Sequence, residues 1–183
     1  MTDQPKHARR NVILGLAASA FAAAAIPPAL AARRPIGLRS VALRNIHTGE
    51  HLNTVYWADG KYVPDAMRRI NWVLRDHYTD EVRRISPDLL DLLTKLQAKL
   101  RTREPFQIIS GYRSPATNAM LAAMTDGVAQ HSLHMQGMAV DIRVPDRSLV
   151  KVQHAALNLA AGGVGFYPRS DFVHVDVGRI RRW

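Results

Sequence analysis

The sequence contains no cysteine. That absence excludes disulfides, thiolate nucleophiles and thiolate-ligated metals, so any metal must rest on His, Asp or Glu. Its main apolar run, Val12 to Ile26, is short for a membrane span and diluted by Ala, Gly and Ser. No internal repeat is present, and no low-complexity segment beyond the Ala-rich stretch inside that run. Strand and helix patterns do not alternate regularly, which argues against a doubly wound α/β fold. Arginines such as Arg68, Arg69, Arg83, Arg84, Arg179, Arg181 and Arg182 are scattered, with no nucleic-acid motif around them.

What is present is a chain of 183 residues, 47% hydrophobic, enough for one core and an appendage. The net charge is +10, and residues 32–183 keep 22 of the 25 basic and 14 of the 15 acidic side chains, a net +8. Such a surface suits polyanions or acidic substrates. The opening "KHARRNVILGLAASAFAAAAIPPALAA" has a basic region ending in Arg9 and Arg10, an apolar run, and Ala29 and Ala31 in an A-x-A relation. It reads as an export signal over 1–31, of twin-arginine type, followed by a linker over 32–40 and a domain over 41–183. The expected compartment is the periplasm, with membrane contact only through the signal. Peptidoglycan stem peptides there carry carboxylates that a basic surface can meet, and export argues against nucleic acid as a partner. A monomer is expected.

Two alternating apolar runs flank His47, Thr48 and Gly49, the pattern of a hairpin. Pro64 opens a helix with Met67, Ile70, Val73 and Leu74 on one face, ending before Thr79. Ser86 and Pro87 are a helix start, and Leu89, Leu93, Leu96 and Leu100 make one apolar stripe. Residues 106–110 read as a buried strand turning at Gly111, and Ser114 and Pro115 start a helix through Met124. Residues 125–136 read as loop, 138–144 as strand, 147–161 as a helix stopped by Gly162 and Gly163, and 164–167 and 172–177 as strands. Helices first and strands later predict an α+β fold.

His134 and Asp141, separated by six residues in "SLHMQGMAVDI", are either two polar residues of an ordinary loop and strand or two ligands of a metal. Strand alternation puts Ala139, Asp141 and Arg143 on one face, and Gly137 lets the chain turn His134 back over Asp141. Farther on, "DFVHVDVG" puts Phe172, His174 and Asp176 on one face. A histidine alternating with valines is commonly structural. Taken together, His134, Asp141 and His174 supply the two imidazoles and one carboxylate that a catalytic zinc needs, with one position open for water. Asp171, at the turn entering the strand, is the candidate general acid/base, and Asp176 its competitor or a partner orienting His174. Arg113, past the Gly111 turn, is placed to aim at an oxyanion or to serve as a cap or surface ion pair. His131, Gln136 and Tyr167 are candidate cleft contacts, and Ser132 a hydrogen-bonding loop residue.

"SGYRS" at 110–114, "SLHMQGMAVDI" at 132–142 and "DFVHVDVG" at 171–178 resemble the motifs of the zinc D-Ala-D-Ala peptidases. "SLHMQGMAVDIRVP" and "HVDVGRIRRW" most resemble the twin-arginine-exported branch that contains murein endopeptidases. The resemblance implies a Hedgehog/D-Ala-D-Ala-peptidase fold with a small antiparallel sheet and flanking helices. It implies one zinc on His134, Asp141 and His174, with Arg113 as transition-state donor. It also implies Asp171 as general acid/base, where many relatives carry Glu. The expected activity is cleavage of amide bonds in peptidoglycan cross-links. The alternatives are a D-Ala-D-Ala carboxypeptidase or dipeptidase, and a non-catalytic peptidoglycan-binding module.

Overall fold

A computed structural model describes residues 1–2, 37–124 and 128–183. The expected signal from residue 3 onward, and the linker up to residue 36, lie outside the described residues. Strand β1 (Arg39–Asn45) begins inside the segment read as linker and pairs antiparallel with β2 (His51–Ala58), as the hairpin pattern predicts. A two-residue strand β3 (Lys61–Tyr62) closes that edge.

Helix α1 (Pro64–Val73) starts on proline, whose missing N–H costs nothing in a first turn. Helix α2 (Pro87–Leu100) buries the predicted leucine stripe together with Leu90 and Leu92. Each fully buried leucine stabilises the fold by about 1.5–3 kcal/mol relative to exposure. Strand β4 (Phe106–Ser110) and helix α3 (Pro115–Met124) follow as expected. The stretch read as loop contains a 3₁₀ turn, Leu133–Gln136, leading into β5 (Ala139–Arg143).

Helix α4 (Leu149–Leu157) ends before the two glycines expected to stop it. Those glycines serve a different purpose. A Cβ on Gly162 would collide with the Asp176 carbonyl oxygen, and Gly163 opens β6 (Gly163–Tyr167) where a side chain would strike the Asp176 carboxylate. Strands β7 (Phe172–Asp176) and β8 (Arg181–Arg182) complete the chain.

The fold is α+β, but its sheet is larger than expected and mixed. Eight strands lie in the order β3-β2-β1-β4-β5-β7-β6-β8, with β1 parallel to β4 and β6 parallel to β8. Local alternation predicts a strand and not its partner, so these parallel pairs were not visible beforehand. Helix α2 packs on β1 and α4, and α4 packs on β6 and β7. Val140, Ile142, Val173 and Val175 enter the core with them, so Asp141 and His174 emerge on the other face. No helix among the described residues is long and apolar enough to cross a membrane.

Candidate metal centre

Asp141 in β5 and His174 in β7 are direct partners across an antiparallel ladder, which places both side chains on one face side by side. His134 arrives from the 3₁₀ turn. Ser132 caps that turn by accepting from the His134 N–H, and Gly137 ends it in the left-handed region at φ 67°. A side chain at Gly137 would strike the Arg84 carbonyl, against which the turn is seated. The backbone thus delivers His134 over Asp141.

Three donor atoms converge. His134 Nε2 lies 3.1 Å from His174 Nδ1 and 3.3 Å from Asp141 Oδ1, and His174 Nδ1 lies 2.9 Å from Asp141 Oδ1. All three residues are buried. Outer hydrogen bonds set the tautomers. His134 Nδ1 lies 2.7 Å from the Gly111 carbonyl, which only accepts, so the proton sits on Nδ1 and the Nε2 lone pair faces inward. His174 Nε2 donates to the Asp176 carboxylate at 3.0 Å, turning the Nδ1 lone pair inward. Two lone pairs and a carboxylate oxygen at such range repel one another unless a proton on His174 Nδ1 or a metal cation stands between them.

The spacing fits a small divalent ion. Tetrahedral bonds of about 2.0–2.1 Å set donors about 3.3–3.4 Å apart, close to the separations seen here. Burial opposes ionisation of Asp141, but His134 and His174 overturn it and hold its carboxyl below the usual range. Burial likewise opposes charging of His174, and its hydrogen bonds to Asp141 and Asp176 prevail and raise its pKa.

Arg113 stands beside this group, its guanidinium 3.4 Å from Asp141 Oδ2 and 3.2 Å from Ser110 Oγ. Its Nε is buried without a hydrogen-bond partner among the described residues. Asp176 lies behind His174, fully buried. The structure does not bring Asp171 to the centre. At φ 54° its backbone leaves the strand's alternation in the left-handed region, and its carboxylate pairs with Arg143 at 2.6 Å, with the side chain 63% exposed. Arg169, Ser170 and Phe172 line the same cleft as the three donors, and Asp171 does not.

That cleft encloses about 860 Å³. His131 and Tyr167 line it, whereas Gln136 is exposed away from it. Arg169 and Trp183 also line the cleft, the first two residues before the "DFVHVDVG" motif and the second the last residue of "HVDVGRIRRW", and neither stands out in the sequence as a site residue. The imidazoles of His47 and His77, stacked 3.8 Å apart, line the cleft as well. The two histidines are 30 positions apart, and no spacing signals their meeting.

A family model described as peptidoglycan L,D-endopeptidase MepK matches residues 33–183. The peptidoglycan L,D-endopeptidase MepK of Escherichia coli is 41% identical over 177 residues, covering 96% of this chain and 97% of that protein. The probable peptidoglycan L,D-endopeptidase MepK of Haemophilus influenzae is 38% identical over 146 residues, covering 79% of this chain and 78% of that one. With the motifs, the fold and this extent of identity in agreement, the chain belongs to the MepK family of peptidases, within the zinc D-Ala-D-Ala peptidase-like group.

Proposed function

We propose that the chain is a zinc-dependent peptidoglycan L,D-endopeptidase that works in the periplasm after export through a twin-arginine signal. Family membership makes it a murein endopeptidase. The zinc centre, the bond cut and the route of export extend that membership. The observation that carries it is the convergence of His134 Nε2, Asp141 Oδ1 and His174 Nδ1 within 3.3 Å of one another. Two imidazoles, one carboxylate and an open side are the donor set of a catalytic zinc.

Zinc held there supplies a Lewis acid and an activated water. The chain supplies the rest. Arg113 presents guanidinium protons at the cleft floor, where the scissile carbonyl oxygen gains charge. Of the three arginines lining the cleft, Arg113 contacts Asp141 and Arg181 contacts Asp176. Arg169 has no carboxylate partner among the described residues, which leaves it for the carboxylates of a stem peptide.

The L,D designation of the relatives selects among candidate bonds. Cross-links from D-Ala and terminal D-Ala bonds have a D-configured acyl residue. A direct cross-link between two diaminopimelates joins an L-centre carbonyl to a D-centre amine. We therefore expect digestion of purified muropeptides to remove dimers joined diaminopimelate to diaminopimelate and to spare those joined through D-Ala, with chelator stopping the reaction. Mass analysis of the products checks this. Cleavage confined to D-Ala cross-links or terminal D-Ala would point to the carboxypeptidase alternative.

Proton transfer was expected from Asp171, which in this structure would first have to leave Arg143. Asp176 is no substitute, because five hydrogen bonds hold its carboxylate behind His174. His131 lines the cleft three residues before His134 and has no hydrogen bond to another described residue, which makes it the alternative proton acceptor. We expect Asp171→Asn to retain zinc and lose less than about tenfold in turnover, and His131→Gln to lose about 10²-fold with zinc retained. Steady-state hydrolysis with metal analysis decides. A 10²-fold loss in Asp171→Asn at full zinc would return the role to Asp171.

A further inference from the structure

We infer that Arg181 is a positioning residue of the metal centre, and that the segment from Arg179 to Trp183 is built into the site. The inference rests on the reading of His134, Asp141 and His174 as metal ligands. It starts from Asp176, a carboxylate with no exposed surface and no place in the reaction. Its Oδ1 accepts from the Gly163 N–H at 2.9 Å, the Gly178 N–H at 2.8 Å and Arg181 Nη1 at 3.1 Å. Its Oδ2 accepts from Arg181 Nη2 at 2.8 Å and from His174 Nε2 at 3.0 Å. A planar guanidinium gripping both oxygens fixes the plane of the carboxylate, and that plane fixes the rotation of the His174 ring. The ring's other nitrogen is the one that faces Asp141 and His134. Among the described residues, no other arginine and no lysine pairs with Asp176.

The strands around it open a place for this fork. Strand β8 runs parallel to β6, with Gly163 opposite Arg181. A Cβ on Gly163 would overlap the Arg181 guanidinium and the Asp176 carboxylate, and one on Gly165 would run into the Trp183 indole. Gly165 is itself the ladder partner of His174. Trp183 is tied down by its backbone to Val164 and Phe166, and its indole N–H donates to the Tyr167 hydroxyl at 2.7 Å. The indole thereby covers the Arg181 guanidinium at 4.8 Å and stands 5.2 Å from the His174 ring. The "GGVG" and "RIRRW" stretches thus meet on one ligand.

The test is zinc affinity of the full chain, measured by competition with a chromogenic chelator for wild type, Arg181→Met and Arg181→Lys. The melting temperature of each zinc-free protein is measured in parallel. Methionine keeps the stem and removes the fork, and is expected to weaken zinc binding about 10- to 100-fold. Its zinc-free melting should stay within a few degrees of wild type. Lysine, a point donor without the fork, is expected to fall between the two. Wild-type affinity in Arg181→Met overturns the inference. So does weakening matched by an equal loss of zinc-free stability in both variants, which marks a general structural role. Should Arg181→Met fail to fold, wild-type affinity in Arg181→Lys overturns it equally. A wild-type chain that binds no zinc sinks the reading of the centre itself, which is a different failure.

Discussion

Replacing His134 by alanine is expected to remove zinc and hydrolysis together, with turnover falling by about 10³-fold or more. The imidazole is buried, its far nitrogen is committed to the Gly111 carbonyl, and its near nitrogen lies within 3.3 Å of both other donors. No other described imidazole or carboxylate joins this cluster to take its place. Alanine leaves two donors, too few to hold a catalytic zinc against dialysis. Metal analysis and muropeptide hydrolysis check the two losses side by side. A variant that keeps full zinc removes His134 from the ligand set. The proposed zinc site carries a defined pH sign. In the metal-free protein the pKa of His174 is raised, so its stabilising charge is present below the ordinary histidine range and lost as pH rises through the raised value. Zinc needs the opposite state, a free lone pair on Nδ1. Apparent zinc affinity should therefore climb with pH across that window, and the stability that zinc adds should climb with it.

Much of this centre was legible because its parts are local. Gly137 and the spacing from His134 to Asp141 encode a turn into a strand, and alternation in "DFVHVDVG" puts His174 and Asp176 on one face whatever their partners. The leucine stripe from Leu89 to Leu100 announces its helix for the same reason. What stayed hidden depends on choices made far along the chain. Strand β1 finds β4 across more than 60 residues, and nothing in "FQIIS" names a parallel partner. Strand β8 is two residues long, too short for a period. Asp171 stands three residues before His174 in the sequence, while one left-handed backbone angle turns its carboxylate toward Arg143 on the neighbouring element, an orientation no spacing announces. Gly162 and Gly163 read as a helix stop, a frequent use of glycine. Their place in the structure is instead to let the backbone and carboxylate of Asp176 approach β6.

Arg113→Met is expected to lower kcat by about 10²- to 10³-fold while zinc content holds, the loss typical of removing one donor to a developing oxyanion. Little of this guanidinium is used at rest. Its side chain is only 11% exposed, and it makes long contacts of 3.2 Å to Ser110 Oγ and 3.4 Å to Asp141 Oδ2, with Nε unpartnered among the described residues. Arg181, by contrast, has both terminal nitrogens on Asp176. A buried cation with unspent donors beside a metal group stabilises charge that appears only during reaction. Lysine should recover little, because one ammonium cannot reproduce the fork's directions. The competing role is to steady Asp141 through the 3.4 Å contact, and the two roles separate cleanly. If Arg113 acts on the substrate, kcat falls at constant zinc affinity. If it acts through Asp141, zinc affinity falls in step with turnover and saturating zinc restores the rate. The second outcome would move Arg113 from the reaction to the support of its ligand.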